Sequence, residues 1–169
     1  YMTALAALMA CIYYVLFSYF TTYLKLHVKT TPDLPLIAMN IIIFFSMICY
    51  PIFGKLADRI DNRVRYSKLF TIILCIGIIL LSAMEQFPWL MFCLLIMVIG
   101  YCGLASFLTS MFAEIFDEEY RMTACSLCYS CGAIIGGFSP FISEILAKKA
   151  HSTFFMYLLV LGFGFYIIQ

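Results

Sequence analysis

The sequence predicts an all-α membrane protein of six transmembrane helices. Two observations carry this. Hydrophobic residues fill 65% of the 169 positions while charged ones fill only 11%, and the apolar residues gather into six long runs separated by short charged segments. A water-soluble domain carries about 25% charged residues. This chain lacks the polar surface to coat a globule in water, so the bilayer is its natural solvent. A net charge of +1 supplies no basic field, and no cluster pairs basic residues with spaced aromatics, so no nucleic-acid partner is expected.

About 20 apolar residues cross the hydrocarbon core as a helix. The first run, about 2–24, starts YMTALAALMA, with no basic segment ahead of it. That argues against a cleaved signal peptide and reads as a chain cut from something longer. Residues 25–33 carry Lys25, Lys29 and Asp33. The second run, about 34–53, ends at GKLADRIDNR, residues 54–63, which with Arg65 and Lys68 forms the most charged stretch and is read as a loop. The third run, about 68–84, and the sixth, about 152–168, are short and call for snorkelling ends or local bilayer thinning. A tight turn at Glu85, Gln86 and Pro88 leads into the fourth, about 87–112. The acidic segment 113–121 precedes the fifth, about 122–146, and Lys148 and Lys149 precede the sixth.

Strands do not suit these runs, which are continuously apolar and too long for barrel strands. Placing the 54–68 segment in the cytoplasm puts six of the ten Lys and Arg there: Lys55, Arg59, Arg63, Arg65, Lys68 and Arg121. The positive-inside bias then orients both ends inward.

The spans differ in polarity. The first places Tyr14, Ser18, Thr21 and Thr22 on one stripe, and the fourth does the same with Cys102, Ser106, Thr109 and Ser110. The fifth holds Ser126, Tyr129 and Ser130, and the second a lone Asn40. Spans three and six are nearly featureless. Polar faces on spans one, two, four and five imply a cavity between them, with three and six against lipid. Tyr14, Ser18, Asn40, Ser106, Thr109 and Tyr129 are its candidate lining. Alternatively, the Ser and Thr hydroxyls bond to their own helix backbone, or their small size lets helices approach.

In the fifth span Cys125, Cys128 and Cys131 have the spacing that opens an iron–sulfur cluster run, but no C-x3-C-P follows. A zinc site would want a second pair or histidines, and His27 and His151 lie near helix ends. Cys128, Gly132 and Gly136 repeat every four residues, a small face for close helix contact. Gly136, Gly137 and Pro140 add a bend point. No metal and no cofactor is expected. Soluble-enzyme motifs are absent and no Asp, Glu, Lys or Arg lies near the centre of a span, so the chain is not read as an enzyme.

GKLADRIDNR, between spans two and three, resembles the G-x-L-x-D-R-x-G-R-R signature of the major facilitator superfamily. Gly54, Leu56, Asp58, Arg59 and Arg63 match it, while Asp61 and Asn62 depart from it. AEIFDEEYRMTACSLCYSCGAIIGGFSPFI resembles the corresponding run of the metabolite:proton symporter branch, similar to proline/betaine transporters. Glu114, Ile115, Phe116, Arg121, Thr123, Ser126, Leu127, Tyr129, Gly136, Gly137 and Pro140 match, and Asp117 replaces a usual Pro. The resemblance implies the C-terminal six-helix half of a twelve-helix transporter in the bacterial cytoplasmic membrane. It also implies proton-coupled symport of a small polar solute, an osmolyte such as proline or betaine or a carboxylate, by alternating access.

Gly54, Asp58, Arg59, Arg63, Glu114 and Arg121 are then expected to form a conformational-gating network. Asp58 would cap a helix N-terminus, and Arg59 or Arg63 would reach Glu114. The expected partners are membrane lipid, the solute, and the N-terminal half in the same or a separate chain. The alternatives are an inactive six-helix remnant or interaction subunit, and a membrane redox protein using the three close cysteines.

Overall fold

A computed structural model describes residues 2–27, 33–60, 62–83, 87–149 and 151–168, and among these every regular element is helical. The first span consists of α1 (Met2–Tyr14), a π-helical turn (Val15–Tyr19) and α2 (Phe20–His27). Then come α3 (Leu34–Arg59), α4 (Arg63–Ala83), α5 (Phe87–Ile115), α6 (Arg121–Gly137), α7 (Ser139–Lys149) and α8 (His151–Ile168). Five stretches are long and apolar enough to cross a membrane, ending with Arg121–Lys148, and the sixth, Ser152–Ile168, is apolar but shorter.

The main correction concerns the charged segment. Residues 54–59 are not loop: they are the last turns of α3, and α4 already begins at Arg63. Hydropathy falls wherever charge appears, whereas Lys, Leu, Ala and Arg are all good helix formers, so the helix outlasts its apolar run. Ala57 in this stretch is buried, which anchors the extension. Asn62 caps α4, its Oδ1 accepting the N–H of Arg65 at 3.3 Å. Asp61, Lys29 and the turn residues Glu85 and Gln86 lie outside the described residues.

The fifth span is broken. Phe138 turns between α6 and α7, its N–H reaching the Ile135 carbonyl at 3.3 Å. Pro140, in the first turn of α7, has no N–H to continue the ladder across the break. Ser139 holds the far side by a 2.8 Å bond between its Oγ and the Tyr157 hydroxyl on α8.

Helix α5 is the centre of the bundle, with 72% of its apolar window buried, against 22% for α3 and for the α6–α7 stretch. It packs on α4 and α3, while α1 packs on α6 and α8. Two seams depend on small residues. At the α4–α5 seam a Cβ on Gly100 would lie 2.8 Å from the Leu74 amide nitrogen. At the α1–α6 seam a Cβ on Gly132 would lie 2.7 Å from the Ala6 carbonyl carbon, and one on Gly136 2.5 Å from the Ala10 Cβ. With lipid as solvent, such close backbone approach is a main source of helix affinity. Large rings fill the wider gaps, as where Tyr23 stacks on Phe154 at 5.2 Å and Tyr66 on Phe107 at 5.9 Å.

Candidate functional site

The charged end is organised around Arg63. Its guanidinium forms an ion pair with Glu114 at the end of α5, and its Nε donates to the Ala57 carbonyl in the last turn of α3 at 3.2 Å. Each contact has a cause in helix electrostatics. A carboxylate at a helix C-terminus and a cation at an N-terminus both oppose the macrodipole, so Glu114 and Arg63 relieve each other. The Ala57 carbonyl is one of the last four of α3, which lack an intrahelical partner. One side chain thereby ties α3, α4 and α5 together. Its own exposure is 18%, that of Glu114 62%.

The other charged candidates are placed differently. Arg121 Nε donates to the Phe116 carbonyl at 3.2 Å, closing the turn between α5 and α6. Arg59 is exposed in the last turn of α3. Asp58 is not the cap of α4, a position held by Asn62. Because α3 runs on to Arg59, Asp58 stands one turn beyond Gly54 and two beyond Tyr50 on the same face. All three line a cleft.

That cleft, about 560 Å³, lies between α1, α3 and α5, and Met9, Ala105, Ser106, Thr109 and Ser110 complete its wall. Met9 and Tyr50 also line a second cleft of about 290 Å³ that reaches α6. Five of the nine residues lining the second cleft are tyrosines: Tyr13, Tyr14, Tyr50, Tyr101 and Tyr129. The Tyr13 ring lies 5.5 Å from Tyr14 and 6.0 Å from Tyr101. The Tyr129 ring meets Phe112 edge-on at 5.3 Å, and its hydroxyl is buried with no partner among the described residues.

Ser106 and Thr109 thus line the larger cleft, and Tyr14 and Tyr129 the neighbouring one that shares Met9 and Tyr50 with it, while Ser18 and Asn40 are exposed and outside both. The π turn explains Ser18. A π turn winds fewer degrees per residue than an α turn, so the i, i+4 stripe from Tyr14 is rotated away. Asn40 lies ten residues before Tyr50, about 80° off its face at 100° per residue. The hydroxyls of the fourth span do bond to their own helix. Ser106 Oγ donates to the Cys102 carbonyl at 2.9 Å, and Thr109 Oγ1 reaches the Ser106 and Ala105 carbonyls at 2.9 and 3.0 Å. Their protons are used, and the oxygen lone pairs remain for the cleft.

Sequence reasoning missed Tyr50, Tyr101 and Tyr13, and took Gly54 and Asp58 for loop. The signal was present in Tyr50, Gly54 and Asp58 at four-residue spacing, hidden by the assumption that the helix ended at residue 53. Cys125, Cys128 and Cys131 face different surroundings: Cys125 Sγ approaches the Phe112 carbonyl at 3.7 Å, Cys128 accepts from Thr3 Oγ1 at 3.8 Å on the α1–α6 seam, and Cys131 is exposed. Among the described residues no three His, Cys, Asp or Glu side chains gather as metal ligands would. A methyl group placed on Gly137 would meet no neighbour within 4 Å, and the same is true of Gly54.

A family model described as Major Facilitator Superfamily matches residues 2–168. No curated protein and no solved structure matches the chain.

Proposed function

Because the chain belongs to the major facilitator superfamily, we propose that it forms the C-terminal six-helix half of a secondary active transporter. It would carry a small polar solute, an osmolyte or a carboxylate, in symport with protons. The observation that carries this reading is the pair of neighbouring clefts between α1, α3, α5 and α6, which gather hydroxyls and phenols in an otherwise apolar bundle. Its flanking helices α3 and α6–α7 are the least buried of the long stretches, which suits a second half closing over the open side. Alternating access then moves one half against the other around a midplane site.

Arg63 bears on that motion. By joining the ends of α3, α4 and α5, it would let this half rock as one body, and release of Glu114 would favour the opposite end-state. Since no acidic residue lies mid-span here, the group that carries the coupling proton would belong to the other half. Both ends of this chain would face the cytoplasm of a bacterial cell, with the charged junction on that side.

Reconstitution tests the reading. Proteoliposomes holding this chain together with its six-helix partner half should take up solute along a proton gradient and lose uptake on adding an uncoupler. The chain alone should not. Uptake by the chain alone would overturn the need for a second half, and no uptake with either would favour the inactive remnant or interaction subunit.

A further inference from the structure

We infer that the tyrosine-walled part of the cleft binds an organic cation, a tertiary or quaternary ammonium, and rejects carboxylates. The inference rests on the transport reading above and narrows its solute. Five of the chain's 12 tyrosines line this one cleft of about 290 Å³, a volume near the lower end for small-ligand pockets. They come from four helices: Tyr13 and Tyr14 from α1, Tyr50 from α3, Tyr101 from α5 and Tyr129 from α6. Phenol rings present a negative face to a cation, and cages of such rings recognise alkylated ammonium groups.

Charge points the same way. Among the described residues, no charged side chain lines the tyrosine-walled cleft, and the larger cleft beside it has Asp58 and no cation. A carboxylate entering would shed water without meeting a cation to replace it, which is costly. An ammonium group loses less, because alkyl groups already weaken its hydration, and it gains the ring faces.

The test is calorimetric titration of the purified protein with choline, with its uncharged carbon isostere 3,3-dimethyl-1-butanol, and with succinate. Choline should bind at least about tenfold more tightly than the isostere, and succinate should give no heat. Equal affinity for choline and the isostere would overturn the inference, as would preference for succinate. Tyr14→Phe, which keeps the ring, should hold choline affinity within about twofold, whereas Tyr14→Leu should lose about tenfold. Equal losses in both variants would overturn the ring-face account. Tyr13→Leu repeats the test at a partly exposed position if Tyr14→Leu fails to fold. Choline binding without uptake in any reconstitution would support the inference and remove the transport reading. Proton-driven uptake of a carboxylate, with no choline binding, would do the reverse.

Discussion

Arg63 sits where the ends of three helices meet, and in the proposed gating it would matter for linkage more than for stability. Glu114 is 62% exposed, and an ion pair of that kind contributes about 0–1 kcal/mol. Glu114→Gln should therefore leave the melting temperature in detergent nearly unchanged while shifting the inward- and outward-facing populations, read by accessibility labelling of the cleft. Unchanged labelling would leave the pair a surface contact without a gating role. Asn62 makes the opposite kind of contribution. Its side chain caps α4, so Asn62→Ala should cost about 1 kcal/mol of stability without moving the labelling pattern. At this scale the sequence was informative about which residues carry charge at the junction and poor about their partners. Asp58 looks like a cap in a loop, and becomes a cleft residue only once α3 is known to continue past Gly54.

The helices themselves were legible because continuous apolar runs of membrane length have few other solutions. Their ends and phases were not. Hydropathy marks where charge begins, which for α3 precedes the true end by six residues, at Arg59 against 53. Helical phase failed at the π turn, since nothing in VLFSY distinguishes five π residues from an α turn, and Ser18 left the cleft as a result. The small-residue seam gives a prediction at this scale. A Cβ on Gly132 would press on the Ala6 backbone, which cannot move aside as a flexible side chain would, whereas one on Gly137 would meet nothing within 4 Å. Gly132→Ala should destabilise the folded protein by about 1–3 kcal/mol, as overpacking does. Gly137→Ala should be neutral or stabilise by up to about 1 kcal/mol through helix propensity. Thermal denaturation in detergent separates the two, and similar melting of both variants would show that α6 does not depend on close approach to α1.

For the whole molecule, the division of labour follows burial. Helix α5 is enclosed, α4 and α8 pack together at the side away from the cleft, and α3 and α6 keep open faces beside it. On the transport reading, a cleft that carries hydroxyls and phenols between open flanks is one wall of the proposed solute pathway. Its position between the first, second, fourth and fifth spans was suggested by polarity, because hydroxyl-bearing spans stand out against featureless ones. The tyrosine wall was not, because aromatic residues abound throughout the chain and only folding collects five of them. Ser106 is the most telling position, since its side chain lies at the α3–α5 boundary, 3.5 Å from the Tyr50 carbonyl, and lines the larger cleft. The most direct measurement is solute uptake by proteoliposomes carrying this chain and the proposed partner half, comparing the native residue with Ser106→Trp in protein that melts normally. Uptake should fall by at least about tenfold, because the indole would occupy the pathway. Uptake at the native rate and affinity would contradict the assignment of this cleft to transport.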